Sequence, residues 1–245
     1  MNETIPMDVY GTGSPNVHKV LFALEEMNIP HVFHQINIKK GEQYSEKIKK
    51  INPNCKVPVI VDHSVPGDIV VFESGNILQY LATRYGNGRY LPSQIKDIKG
   101  HTEVMNWLFW QMANLGPIFG QFYHFFFYSV EKHPYSFQRY LNELTRLLYI
   151  IEDRLENNEF IVGNEYTVAD MAIFPWVRYI PGIPDINSQE FPRIMKYIDI
   201  MKTIPSVQKV LFVIEEEHKA NPPSLPTDEE RAWMFGQDGR KKSSN

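Results

Sequence analysis

One cysteine stands in 245 residues, and that scarcity excludes an internal disulfide. A lone Cys55 suits a reducing compartment, so a cytoplasmic location is expected. A basic surplus is also missing: 25 Lys and Arg against 29 Asp and Glu leave a formal charge of −4. General nucleic-acid binders need clustered cations that displace counterions from phosphate, so that class of partner is set aside. There is no long apolar run. The aromatic-rich stretch 107–128 is interrupted by Gln111, Asn114, Pro117, Gln121 and His124, too often for a bilayer span, and no membrane partner is expected. The opening MNETIPMDVY has no positive charge ahead of an apolar core, so a secretory leader is not expected either. His101, His124 and His133 are scattered, no HExxH-like spacing occurs, and no metal is expected. No Ser/His/Asp set can be picked out.

What the chain does contain is enough apolar sequence, 43%, for one large or two small cores. Two β-branched runs at 57–61 and 69–72 flank His63-Ser64-Val65-Pro66-Gly67-Asp68, the pattern of a hairpin. Val57-Pro58 opens the first run, where a proline is tolerated because no ladder donor is needed. A cis bond there turns the Val57 backbone N–H and C=O outward, ready to pair with an extended peptide. Beyond the second run, Glu73-Ser74-Gly75 starts a helix through Ile77, Leu78 and Leu81. Helix-start N–H groups beside a serine hydroxyl suit a carboxylate, and the Glu73 carboxylate suits an ammonium. Taken singly, the proline is an ordinary strand start and Ser74 an ordinary cap.

Ahead of the hairpin, 7–10 reads as a strand, 11–16 as a loop and 17–27 as a helix with Val17, Val20, Leu21 and Leu24 at helical spacing. The loop lacks the third glycine of a dinucleotide fingerprint, since Asn16 stands there. A second strand is expected at 31–36 and a short helix at 46–51. Gly86-Asn87-Gly88 then closes the hairpin's helix. After a polar connection, helices are expected at about 99–128, 133–157, 167–180, 190–202 and 205–218. The most regular is marked by Leu141, Leu144, Leu147, Leu148, Ile151 and Leu155. Thr167-Val168-Ala169-Asp170 is a capping box. The expected division is 1–88, a linker 89–99, an all-helical part 100–218, and an extended or disordered tail 219–245 rich in Pro and charge.

Several blocks fall in one order: Ser14-Pro15-Asn16 with His18-Lys19, Lys40-Gly41-Glu42-Gln43, Asn52 through Pro58, and Phe72-Glu73-Ser74-Gly75. They continue with Trp107 through Gln111, Leu115-Gly116-Pro117, Thr167 through Met171, and Pro175-Trp176. With these blocks the chain resembles the glutathione transferases over about residues 7–215. Within them it is similar to the nu class and to the transferase-like fungal nitrogen regulators. The resemblance implies an α/β plus all-α fold: an N-terminal thioredoxin-like domain with a mixed four-stranded sheet, and a C-terminal helical bundle. It implies glutathione as co-substrate, held by Val57, Pro58, Glu73 and Ser74, with Gln43, Asn54 and Lys56 on its backbone and carboxylates. Ser14 and Asn16 would then face the glutathione sulfur as the catalytic pair; the bland alternative is that they only cap the helix. Tyr10 falls where some transferases keep a tyrosine that donates a hydrogen bond to the glutathione sulfur, but strand packing is the expected role. Cys55 lies too late in the chain to be the cysteine of cysteine-type classes.

The nu-class likeness implies disulfide reduction with two glutathiones, or glutathione disulfide, in one site and no protein cysteine. Conjugation of glutathione to a small electrophile would use the same thiolate and is the rival. A regulatory protein on the same scaffold is the third reading, although no Asn/Gln-rich extension precedes the first strand. A homodimer is expected from the resemblance.

Overall fold

The computed structural model describes residues 5–222 and 224–236. Strand β1 (Met7–Gly11) sends alternate side chains to opposite faces of the sheet, as its two-residue period requires. Val9 enters the large core with Phe22, Ile60 and Leu78, while Tyr10 enters a smaller cluster with Ile36, Ile48, Val59 and Val61. Strand β2 (His31–Gln35) runs parallel to β1, with Met7 opposite His31. Strand β3 (Val59–Asp62) is antiparallel to β1, and β4 (Ile69–Phe72) is antiparallel to β3. The order across the sheet is β2-β1-β3-β4, the mixed sheet of a thioredoxin-like domain. Strand β3 starts at Val59 rather than at 57, because Pro58 has no N–H to give the ladder. The Val57–Pro58 bond is cis.

Helix α1 (Pro15–Glu26) joins β1 to β2, α2 (Glu46–Ile51) follows β2, and α3 (Ser74–Tyr85) follows β4. The remainder is helical: α4 (Ile98–Trp110), α5 (Gly116–Tyr123), α6 (Pro134–Arg154), α7 (Val168–Val177), α8 (Pro192–Met201) and α9 (Pro205–Ala220). The helical run expected over 99–128 is present without a break, but two of its turns have π geometry. π turns at Gln111–Leu115 and His124–Tyr128 follow α4 and α5. Pro117 cannot donate to the preceding turn, and the Gly116 N–H reaches back five residues to the Gln111 carbonyl. The capping box at the start of α7 is present: Asp170 accepts from the Thr167 N–H at 2.9 Å, and Thr167 Oγ1 from the Ala169 N–H at 3.2 Å.

Helix α1 packs against α3, α7 and α9. One continuous core therefore runs from Val9 and Phe22 through Leu108 and Phe122 to Phe174 and Ile194. No helix among the described residues is long and apolar enough to cross a membrane.

The extended tail expected over 219–245 is corrected where it is described. Helix α9 continues to Ala220, and a second capping box, Thr227 with Glu230, starts helix α10 (Asp228–Met234). So short a helix does not hold itself in water, and packing must do it. The Trp233 ring lies 6.4 Å from that of Tyr44, and Phe235 lies 4.8 Å from His124 and 5.2 Å from Tyr128. Gly41, at φ 77°, makes room: a β-carbon there would collide with the Trp233 ring. Residue 223 and residues 237–245 lie outside the described residues.

Candidate functional site

The approach to the hairpin is built by Asn52. Its side chain accepts from the Asn54 N–H at 3.0 Å and donates to the Lys56 carbonyl at 2.8 Å, and its own carbonyl accepts from the Cys55 N–H at 3.0 Å. This knot turns the chain sharply, with Cys55 at φ 55°, and delivers Val57 to the lip of the sheet. The β1–β3 ladder begins at Tyr10 opposite Val59, so Val57 lies beyond its end. Asn54 and Lys56 carry exposed side chains on that lip, while Pro58 is buried.

At the other end of the hairpin, Glu73 takes φ 69° and ψ 118°, and its exposed side chain makes no cap of its own. Ser74 follows as the first residue of α3 and is buried. A helix start carries N–H groups without intrahelical partners and the positive end of the helix dipole, which together attract an anion. Ser74 Oγ accepts from Lys19 Nζ at 3.2 Å and lies 3.6 Å from Met112 Sδ. Lys19 Nζ also donates to Gln111 Oε1 at 2.6 Å and lies 3.3 Å from Met112 Sδ. Burial pushes Lys19 down to about 7, with Glu73 pulling it back up. Gly75 is needed for this approach, because a β-carbon there would come within 2.8 Å of Met112 Cγ.

The first loop presents the third part. Ser14 caps α1 in an extended conformation, accepting from the Val17 N–H at 3.4 Å, and Pro15 takes the first helical position. Asn16 sits beside them, half-buried. Lys19, one turn further along α1, thus ties the start of α1 to the start of α3. Across the loop, a β-carbon at Gly13 would lie 3.5 Å from Glu217 Oε1 of α9.

Not every expected residue joins this group. Gln43 is buried, and its side-chain amide donates to the Trp233 carbonyl at 3.2 Å, so α10 occupies it. The Tyr10 hydroxyl donates to Asp8 at 3.2 Å, and its ring stacks on His34 at 4.7 Å, on the face of the sheet away from α1. Cys55 is buried, with its sulfur 3.9 Å from the Pro53 carbonyl. His124 stands edge-on to Phe235. No role for Lys19, Gln111 or Met112 follows from the sequence alone. The first two were present in the blocks of the resemblance. A lysine in the middle of an apolar helical repeat was the available signal, because a helix buried on several sides has no solvent side for it.

Residues 13–84 match the glutathione S-transferase N-terminal domain, and residues 117–205 match the glutathione S-transferase C-terminal domain. A glutathione S-transferase domain-containing protein of Dictyostelium discoideum is 39% identical over 225 residues, spanning 89% of this chain and 86% of that protein. The disulfide-bond oxidoreductase YghU of Escherichia coli K12 is 40% identical over 177 residues, 70% of this chain and 60% of its own length. A solved glutathione transferase homologue from Lodderomyces elongisporus, with two glutathione molecules per subunit, superposes with a TM-score of 0.78 at 31% identity. That match covers 89% of this chain and 100% of the other.

Proposed function

The chain belongs to the glutathione S-transferase family, and on that premise we propose that it is a glutathione-dependent disulfide-bond oxidoreductase whose nucleophile is the thiolate of bound glutathione. The observation that carries this reading is the position of sulfur chemistry in the chain. Its one cysteine is buried in the turn before β3, while the start of α1 offers a hydroxyl and an amide, Ser14 and Asn16. A thiolate at that helix start is favoured by the dipole and by hydrogen-bond donors, so the thiol has to come with the ligand.

In this reading the peptide backbone of glutathione pairs with the N–H and C=O of Val57 at the cis Val57–Pro58 turn. Its γ-glutamyl carboxylate sits on Ser74 and the α3 helix start, its ammonium meets Glu73, and Asn54 and Lys56 take the remaining polar groups. Glutathione thiolate attacks one sulfur of a small disulfide, forming a mixed disulfide and releasing a thiolate that takes a proton from solvent. A second glutathione thiolate then attacks the glutathione sulfur of that mixed disulfide. This releases the second thiolate and leaves glutathione disulfide, so two electrons pass from two glutathiones to the substrate. The names of the relatives support this: one is a disulfide-bond oxidoreductase, and one homologue holds two glutathiones per subunit. The reading extends to a cytoplasmic homodimer and to a chain divided at the 89–99 linker.

Paired initial rates test it. A dialkyl disulfide assay coupled to glutathione reductase is expected to turn over readily, while an aryl halide is conjugated slowly. Asn16→Ala should lower kcat/KM for the disulfide by about ten- to a hundredfold, the effect of removing one donor from a developing or resting anion. Dominant conjugation would move the assignment to an ordinary transferase. Silence in both assays would favour a binding or regulatory protein.

A further inference from the structure

Lys19 is fully buried, and each group its ammonium touches is uncharged: Ser74 Oγ, Gln111 Oε1 and Met112 Sδ. The Trp176 ring adds a weak attraction, its centroid 5.9 Å from Nζ. A buried cation held only by neutral acceptors is expensive, and proteins normally supply it with an acid. The surrounding elements do not meet that need. On α1 itself, His18 is held neutral, pushed down to about 3 by burial and by the Arg178 and His218 charges. From α7 comes Arg178, another cation, donating to Tyr179. From α9 come Glu217, which lies over Gly13, and His218, which faces His18. The π turn after α4 offers only Gln111 and Met112. Glu73 on α3 favours the ammonium but is exposed and not in contact with it.

We propose that the missing counter-ion is the carboxylate of the ligand, and that Lys19 is a positioning residue that charges the α3 anion site from beneath through Ser74. This rests on the glutathione reading above and goes beyond it, since it makes ligand binding and proton uptake one event. Ser74 Oγ accepts from Lys19, so its own hydrogen is left to donate outward. In the free protein the nearest acceptor for that hydrogen is a thioether sulfur, which is weak. A carboxylate on the helix start replaces it and places a negative charge one hydroxyl away from Nζ. The amine of Lys19 is divided between its two forms near neutral pH, and its neutral fraction then takes a proton from the buffer and becomes the ammonium.

The test is calorimetric titration of the full chain with S-methylglutathione at pH 7.5, in buffers of different ionisation heat. The thioether cannot release a thiol proton. The wild type should take up about half a proton or more per ligand bound. Gln111→Glu, which keeps the side-chain shape, gives Lys19 a carboxylate of its own. It should abolish the uptake and weaken binding by roughly fivefold or more. Lys19→Met should also abolish the uptake, with affinity about tenfold lower. Circular dichroism melts check that both variants are folded. Wild-type binding without proton uptake, or uptake that survives in Gln111→Glu, overturns the Lys19 assignment while leaving glutathione binding intact. No binding to the wild type overturns both readings.

Discussion

His18 and Lys19 stand next to each other in α1, and both are buried without an acid in contact. For His18 the consequence is a stability that depends on pH. Burial, with the Arg178 and His218 charges behind it, lowers its proton affinity to about 3 from an ordinary 6.5. Between those values the unfolded chain binds the proton and the folded chain does not, so stability is lost as pH falls below about 6.5. Urea melts should show wild type losing on the order of 2 kcal/mol more than His18→Gln between pH 7 and pH 5. Parallel curves would contradict the burial argument. Little of this was legible in the sequence. Val17, Val20, Leu21 and Leu24 mark one buried face of α1, and Lys19 within that repeat is the one local hint that the helix is buried on its other sides as well. His18 and Lys19 are buried because α3, α7 and α9 close around the helix. Ser14 was legible, because a serine followed by proline at a helix start has a local physical reason to cap.

At the scale of elements, the hairpin and α3 follow from alternation, turn residues and β-branching, all of them local. The two π turns do not: Pro117 stands just after the first, but no residue of the sequence marks the second. Helix α10 shows the same limit. Its Thr227/Glu230 capping box lies in plain view, but the composition around it is that of a free tail. The helix forms because Trp233 and Phe235 find Tyr44, His124 and Tyr128. It lies over the Ile38–Lys40 turn and holds Gln43. Trp233→Ala should therefore release this element while the core remains folded. Thermolysin cleavage within residues 224–236 is expected to accelerate about tenfold or more, with the main melting transition nearly unmoved. An unchanged cleavage rate would mean that α10 is held by something other than Trp233.

The whole molecule is organised around a place that no single element contains. Val57 comes from the hairpin lip, Glu73 and Ser74 from the α3 start, and Ser14 and Asn16 from the α1 start. The π turn after α4 reaches in from the helical half with Gln111 and Met112. The order of strands and helices, and hence the class of fold, was legible from periodicity and from the order of the blocks. The join between halves was not, because Lys19 meets Gln111 across 92 residues and no local pattern encodes that distance. The central claim about this place is that its sulfur arrives with the ligand. Since Cys55 is the only cysteine, Cys55→Ser leaves a chain with no thiol at all. The glutathione-coupled reduction of a dialkyl disulfide by that variant is the most direct measurement. Turnover within about twofold of wild type is predicted by the proposal that the thiolate belongs to bound glutathione. A folded Cys55→Ser protein that no longer reduces the disulfide would contradict the account.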